Sequence, residues 1–232
     1  MSHAVPAPVL PLTYLERPPR PPADAPAPLL ILLHGVGSNE RDLFRLAPAL
    51  DGRFRVLSVR GPLVRAEGSY AWFIPAFTAN GIQIDPAELD ASRQTLITFI
   101  AAAVRAFAAE PERVYLLGFS QGAIMSLTLA LTEPERLAAV VAIAGRIPSE
   151  VLPWAAPPER TAHLPLLLEH GRQDTVLPIA WAHAARPILA AQRLALDYRE
   201  YDAPHTITDR MLADAAAWLS ARLDESTGGN EG

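Results

Sequence analysis

The chain has 232 residues, of which 50% are hydrophobic and 19% charged, and its formal net charge is −5. That apolar share is enough to bury a core and excludes intrinsic disorder, and the mild acidity argues against a nucleic-acid binder, which needs a basic face to displace counterions. Cysteine is absent and all 20 basic residues are arginine, so thiolate nucleophiles, thiolate metal sites, Schiff bases and a P-loop lysine are excluded.

Nine of the first 28 residues are proline, which predicts an extended, surface-lying arm over residues 1–28 with Tyr14-Leu15-Glu16 as an edge strand. The opening Met1 to Leu12 carries no basic segment, and no run approaches the ~20 apolar residues of a membrane helix. The expectation is a cytoplasmic protein without a membrane span. From residue 29 onward, short apolar runs alternate with segments of helical period. Leu29–Leu33, Phe54–Val59, Val114–Leu117, Leu137–Ile143, Leu164–Leu168 and Leu196–Tyr201 read as strands, nearly all apolar as parallel strands covered on both faces should be. Helices are predicted over Arg41–Leu50, Asp85–Ala109, Gln121–Leu131, Ile179–Gln192 and Ile207–Leu223. Asp85 suits the cap of the longest, Pro86 its first turn, and Leu89, Leu96, Ile100, Ala103, Val104 and Phe107 its buried stripe. The pattern predicts one doubly wound, mostly parallel α/β domain over 29–224 with helices on both faces, and a frayed tail over 225–232.

Between the third strand and the helix after it, Gly118-Phe119-Ser120-Gln121-Gly122 has the Gly-x-Ser-x-Gly form. Strand, sharp turn and helix are the context that lifts a serine hydroxyl out of a sheet, and the flanking glycines avoid clashes with neighbouring backbone. The bland alternative is an ordinary glycine-rich turn. A nucleophilic serine needs a base and an orienting carboxylate, in the order Ser, acid, His for this architecture. Six histidines compete. His3 lies in the arm, His34 precedes the serine, His163 precedes a strand, His170 lies within one and His183 falls in a helix. His205, after a late strand and before the last helix, is the expected base. Asp174 follows a strand on the loop where the acid belongs, and Asp202, three residues before His205, is its competitor. The amides of Gln121 and of Val36, in His34-Gly35-Val36-Gly37-Ser38, are the expected oxyanion donors, with His34 as a brace for that loop.

These segments resemble the phospholipase/carboxylesterase family of the α/β-hydrolase superfamily, which includes acyl-protein thioesterases and small bacterial carboxylesterases. The resemblance rests on Leu33-His-Gly-Val-Gly-Ser-Asn39, Gly118-Phe-Ser-Gln-Gly-Ala123, His170-Gly-Arg-Gln-Asp174 and His205. It implies a single-domain, cofactor-free serine esterase with Ser120, Asp174 and His205 as its triad and Val36 and Gln121 as its oxyanion hole, and no metal. One departure is Pro204, where the family usually has glycine.

The long connection from Gly61 to Ile84 holds Tyr70, Trp72, Phe73, Ile74 and Phe77, and no arginine lies between Ala66 and Ser92. Tyr70, Trp72 and Phe73 are therefore expected to wall an apolar acyl pocket, or else to pack the loop onto the sheet. The expected partner is a small-molecule ester or thioester with a short to medium uncharged acyl chain, with Arg146 and Arg172 as the nearest cations near strand ends. A lysophospholipase or acyl-protein thioesterase is the rival activity, and a non-catalytic binding protein the rival class. A homodimer is compatible with the sequence.

Overall fold

The computed structural model of the protein describes residues 8–20, 26–78 and 81–228. In chain order the strands are β1 (Tyr14–Arg17), β2 (Leu29–Leu33), β3 (Arg55–Val59), β4 (Leu63–Ala66), β5 (Ser69–Ala71), β6 (Ala76–Thr78), β7 (Gly81–Gln83), β8 (Val114–Phe119), β9 (Ala139–Ile143), β10 (Pro165–Gly171) and β11 (Ala195–Tyr201). The helices are α1 (Glu40–Phe44), α2 (Pro86–Ala106), α3 (Gln121–Thr132), α4 (Pro158–Thr161), α5 (Ala180–Ala191) and α6 (Asp209–Gly228).

Among the described residues the main sheet has seven strands in the order β1-β3-β2-β8-β9-β10-β11. All neighbours are parallel except β1, which pairs antiparallel with β3 as Tyr14↔Val59 to Arg17↔Val56. The expected edge strand is therefore present, and the six expected core strands are all found. Both sheet faces are covered. Leu29, Ile31 and Leu33 pack with α2 and α3 residues such as Leu96, Phe99 and Met125, while Leu30 and Leu32 pack with Leu43 of α1 and Met211 and Leu219 of α6. Continuous apolar strands follow from this double burial rather than from any local preference.

Local chemistry explains the helix ends. The Asp85 side chain accepts from the Ala87 amide at 2.9 Å, and Pro86 occupies the first turn of α2. The single helix expected over Arg41–Leu50 is instead α1, capped by Asn39, followed by a 3₁₀ turn at Ala47–Ala49. Pro48 sits in that turn, where its missing N–H is least costly. The expected loop over 61–84 contains two small antiparallel hairpins, β4–β5 and β6–β7. Helix α6 runs to Gly228, beyond the point at which the tail was expected. Residues 1–7, 21–25 and 229–232 of the expected arm and tail lie outside the described residues, as does His3.

The order of the strands places the site. The chain passes from β2 to β3 on one side and later returns to β8 on the other, so the sheet's connectivity reverses between β2 and β8. Leu33 at the end of β2 is paired with Gly118 of β8. The loop after β2 and the turn after β8 therefore emerge side by side, at the crevice where sheets of this kind bind ligands.

Candidate active site

Ser120 occupies the turn between β8 and α3 with φ 55° and ψ −116°. A non-glycine residue in this region costs about 1–3 kcal/mol, tolerated where surrounding structure enforces it. Here the Ser120 amide donates to Ile143 O at 2.9 Å, and its carbonyl accepts from Ile124 at 3.0 Å. A Cβ on Gly122 would stand 1.8 Å from Leu33 O, and one on Gly118 would stand 2.3 Å from Gly122 O. No side chain fits at either position, so the motif's glycines are demanded by the packing of α3 against β2 and β8. Ser120 is 7% exposed, and it borders a cavity.

Nε2 of His205 lies 2.8 Å from Ser120 Oγ, and its Nδ1 lies 2.6 Å from Asp174 Oδ2. Residues from three separate loops thus form one chain of hydrogen bonds. The two later loops are stitched together: Arg172 N donates to Tyr201 O at 2.7 Å and Gln173 N to Ala203 O at 3.1 Å. Phe119 backs the imidazole, with ring centroids 5.0 Å apart. Pro204 leaves this arrangement intact. The buried carboxylate of Asp174 is also held by the amides of Val176 (2.9 Å) and Leu177 (2.7 Å), both on Oδ1, which leaves Oδ2 for the ring. Asp202 takes no part; it pairs with Arg172 at 3.0 Å in solvent.

His170 is closer to the site than its strand position suggests. Its Nε2 is 2.7 Å from Leu177 O and 3.4 Å from Asp174 Oδ2. Burial pushes its pKa down, so the neutral ring donates to Leu177 and adds no competing cation beside Asp174. The sequence signal for this neighbour is its separation of four residues from Asp174. His183 pairs with Glu200 at the surface, and His163 sits in a turn with φ 71°.

Neither the Val36 nor the Gln121 amide has an acceptor among the described residues, and both residues line the cavity beside Ser120. Their loop is braced as expected by His34. The His34 Nδ1–H donates to Gly35 O at 2.7 Å, and its Nε2 accepts from the Gly61 amide at 2.9 Å. Burial lowers its pKa and keeps it in this neutral form.

The three aromatics expected to contact substrate divide. Phe73 lines the cavity; Tyr70 and Trp72 do not. Tyr70 is instead a clamp on the loop that carries Val36. It exchanges backbone hydrogen bonds with Gly37 and Ser38, both at 2.8 Å, and its ring lies 4.4 Å from the Arg60 guanidinium. Arg60 in turn makes a two-pronged pair with buried Glu40 at 2.7 Å on each prong, which holds the Glu40 pKa down. Trp72 is fully buried, and its indole N–H donates to His34 O at 2.9 Å. The side chain of Phe77 lies outside the described residues. A feature missed from the sequence is the Gln121 side chain, which accepts from Trp72 N at 2.7 Å and donates to Phe73 O at 2.6 Å.

The cavity has a volume of about 120 Å³, and Phe73, Ile84, Ile124 and Leu177 contribute apolar walls. Of the two cations expected near strand ends, one reaches the cavity. Arg146, from the segment after β9, lines it, whereas Arg172 is spent on Glu200 and Asp202. A larger groove of about 450 Å³ among Ile100, Arg105, Glu135 and Arg160 contains none of these groups.

Comparison with known proteins gives a consistent result. The sequence profile described as Phospholipase/Carboxylesterase matches residues 20–223. The esterase YpfH of Escherichia coli (strain K12) is 33% identical over 198 residues, covering 82% of this chain and 81% of YpfH. The carboxylesterase SOBER1 of Arabidopsis thaliana is 27% identical over 118 residues, where the match spans 50% of this chain and only 52% of SOBER1. Among solved structures, esterase PE8 superimposes with a TM-score of 0.79 at 27% identity, covering 90% of this chain and 98% of PE8.

Proposed function

Since the chain belongs to the phospholipase/carboxylesterase family, whose named relatives are ester hydrolases, we propose that it cleaves carboxylic esters through a covalent acyl-enzyme on Ser120. The observation that carries this reading is the pair of contacts at 2.8 and 2.6 Å that link Ser120 Oγ through His205 to Asp174.

His205 Nε2 takes the hydroxyl proton as Ser120 Oγ bonds to the acyl carbon. Asp174 holds the ring with Nδ1–H toward itself and stabilises the imidazolium that forms. Negative charge grows on the carbonyl oxygen, where the Val36 and Gln121 amides receive it at no cost in reorganisation. The ester C–O bond then breaks, and the proton passes from Nε2 to the departing alcohol. In the second half, His205 takes a proton from water as its oxygen bonds to the acyl carbon, the bond to Oγ breaks, and the proton returns to Ser120. A thioester presents the same acyl carbon to the same groups and falls within this reading.

Cavity size supports a short to medium acyl chain. About 120 Å³ is below the roughly 300 Å³ at which pockets for drug-sized ligands begin. A reactive organophosphonate tests the proposal directly: one phosphonyl adduct per chain, located on Ser120 by peptide mass spectrometry, is the expected result. Absence of an adduct, or one on another residue, would overturn it.

A further inference from the structure

Beyond the end of β9 the chain turns sharply through Ala144, with φ 53°, and passes Gly145, where a Cβ would lie 2.7 Å from Ala123 Cβ. That close approach to α3 brings Arg146 beside the reacting serine. The residue is 5% exposed, and it lines the cavity together with Ser120 and Gln121. Among the described residues no carboxylate stands within 4.0 Å of it, in contrast to Arg53, Arg60, Arg93, Arg160 and Arg172. The guanidinium carbon lies 4.9 Å from the centroid of the Trp181 ring, and the one carboxylate that acts on it, Glu150, stands farther off than an ion pair. Nη2 is buried and has no hydrogen-bond partner.

A guanidinium withdrawn from water and left with an empty donor is costly, because the lost hydration is not replaced. Trp181 offsets part of the charge but accepts no hydrogen bond in the plane of the fork. A purely structural arginine would be expected to close its donors on a carbonyl or carboxylate. We propose that Arg146 selects the substrate by pairing with a carboxylate at the far end of its acyl chain. The preferred substrate would then be a half-ester of a short dicarboxylic acid. This rests on the serine esterase reading above.

Position within the site indicates which half of the ester carries the charge. The leaving oxygen must face His205 to receive its proton, yet His205 does not line the cavity, whereas Ser120 and both oxyanion residues do. The group in the cavity is therefore the acyl half. A carboxylate matches one planar fork, while a phosphate dianion would leave charge unpaired beside apolar Ile84, Ile124 and Leu177.

The test compares kcat/KM for monoethyl succinate, ethyl succinamate (its neutral amide isostere) and ethyl butyrate. The wild-type protein should favour the half-ester over the amide by at least about 10-fold, as expected for a desolvated charge pair. In Arg146→Met the ratio should fall to near unity, and Arg146→Lys, with charge but no fork, should lie between. A wild-type ratio at or below unity, which requires no variant, overturns the proposal, as does a ratio that survives Arg146→Met. Hydrolysis of ethyl butyrate without half-ester preference would remove the role of Arg146 alone. Failure to hydrolyse any ester would remove the esterase reading as well.

Discussion

The Gln121 side chain bridges the main-chain N–H of Trp72 and the carbonyl of Phe73, at 2.7 and 2.6 Å, and so fastens the cavity wall to the first turn of the helix that follows the nucleophile. One residue then serves the site twice in the proposed mechanism, in which its own amide is an oxyanion donor. Replacing Gln121 by alanine keeps that amide but strands two buried backbone groups. The expected cost is about 2–6 kcal/mol in urea denaturation, since each of the two stranded buried groups carries about 1–3 kcal/mol. With Phe73 released, KM should rise more than kcat falls. Unchanged stability would mean that the bridge contributes nothing to the wall.

Asp174 and Asp202 compete for the same role on sequence grounds, and the structure separates them. Asp174→Asn retains the shape but favours the wrong imidazole tautomer, so kcat should fall by roughly 10³–10⁴-fold, as in related triads, with little change in thermal melting. Asp202→Asn loses an exposed pair with Arg172 and should leave kcat within about twofold, since such pairs contribute little. Equal losses from both substitutions would contradict this assignment.

Glu169 should make stability depend on pH. It is fully buried on β10, and desolvation raises its pKa from 4.5 to about 7, opposed by the Tyr201 hydroxyl. Tyr201 Oη lies 2.7 Å from Glu169 and 3.0 Å from Asp214, yet it has one proton to donate. With Glu169 protonated, its own O–H can donate to Tyr201 while Tyr201 donates to Asp214, whose pKa is held low by Arg210. The folded state thus binds this proton more tightly than the unfolded state. The contribution is complete below about pH 4.5 and is lost as pH rises through about 7. Between those values the wild type should lose on the order of 3 kcal/mol relative to Glu169→Gln, measured as the difference in urea midpoints. A difference that stays constant with pH would contradict the expectation.

The sheet could be read from the sequence because its strands are buried on both faces, so Leu29–Leu33 and Ala139–Ile143 carry no polar interruption. The serine turn was equally legible, since sterics at positions 118 and 122 admit glycine alone. The β4–β7 hairpins were not: strands of three or four residues show no alternation long enough to register. The roles of Tyr70 and Trp72 were hidden for a different reason. Aromatic content marks a loop that packs, but only tertiary register determines which ring meets the cavity and which braces its neighbour. Arg146 was visible as a cation near a strand end. Its arrival at the pocket depends on the Ala144–Gly145 turn against α3, a relation between segments distant in sequence.

The central claim is that turnover passes through the hydroxyl at position 120. The most direct measurement is the initial rate of ester hydrolysis by Ser120→Ala beside the wild type, with folding verified by circular dichroism. Loss of kcat by at least about 10³-fold with an unchanged spectrum is expected when a triad nucleophile is removed. Near wild-type turnover by the folded variant would contradict the account.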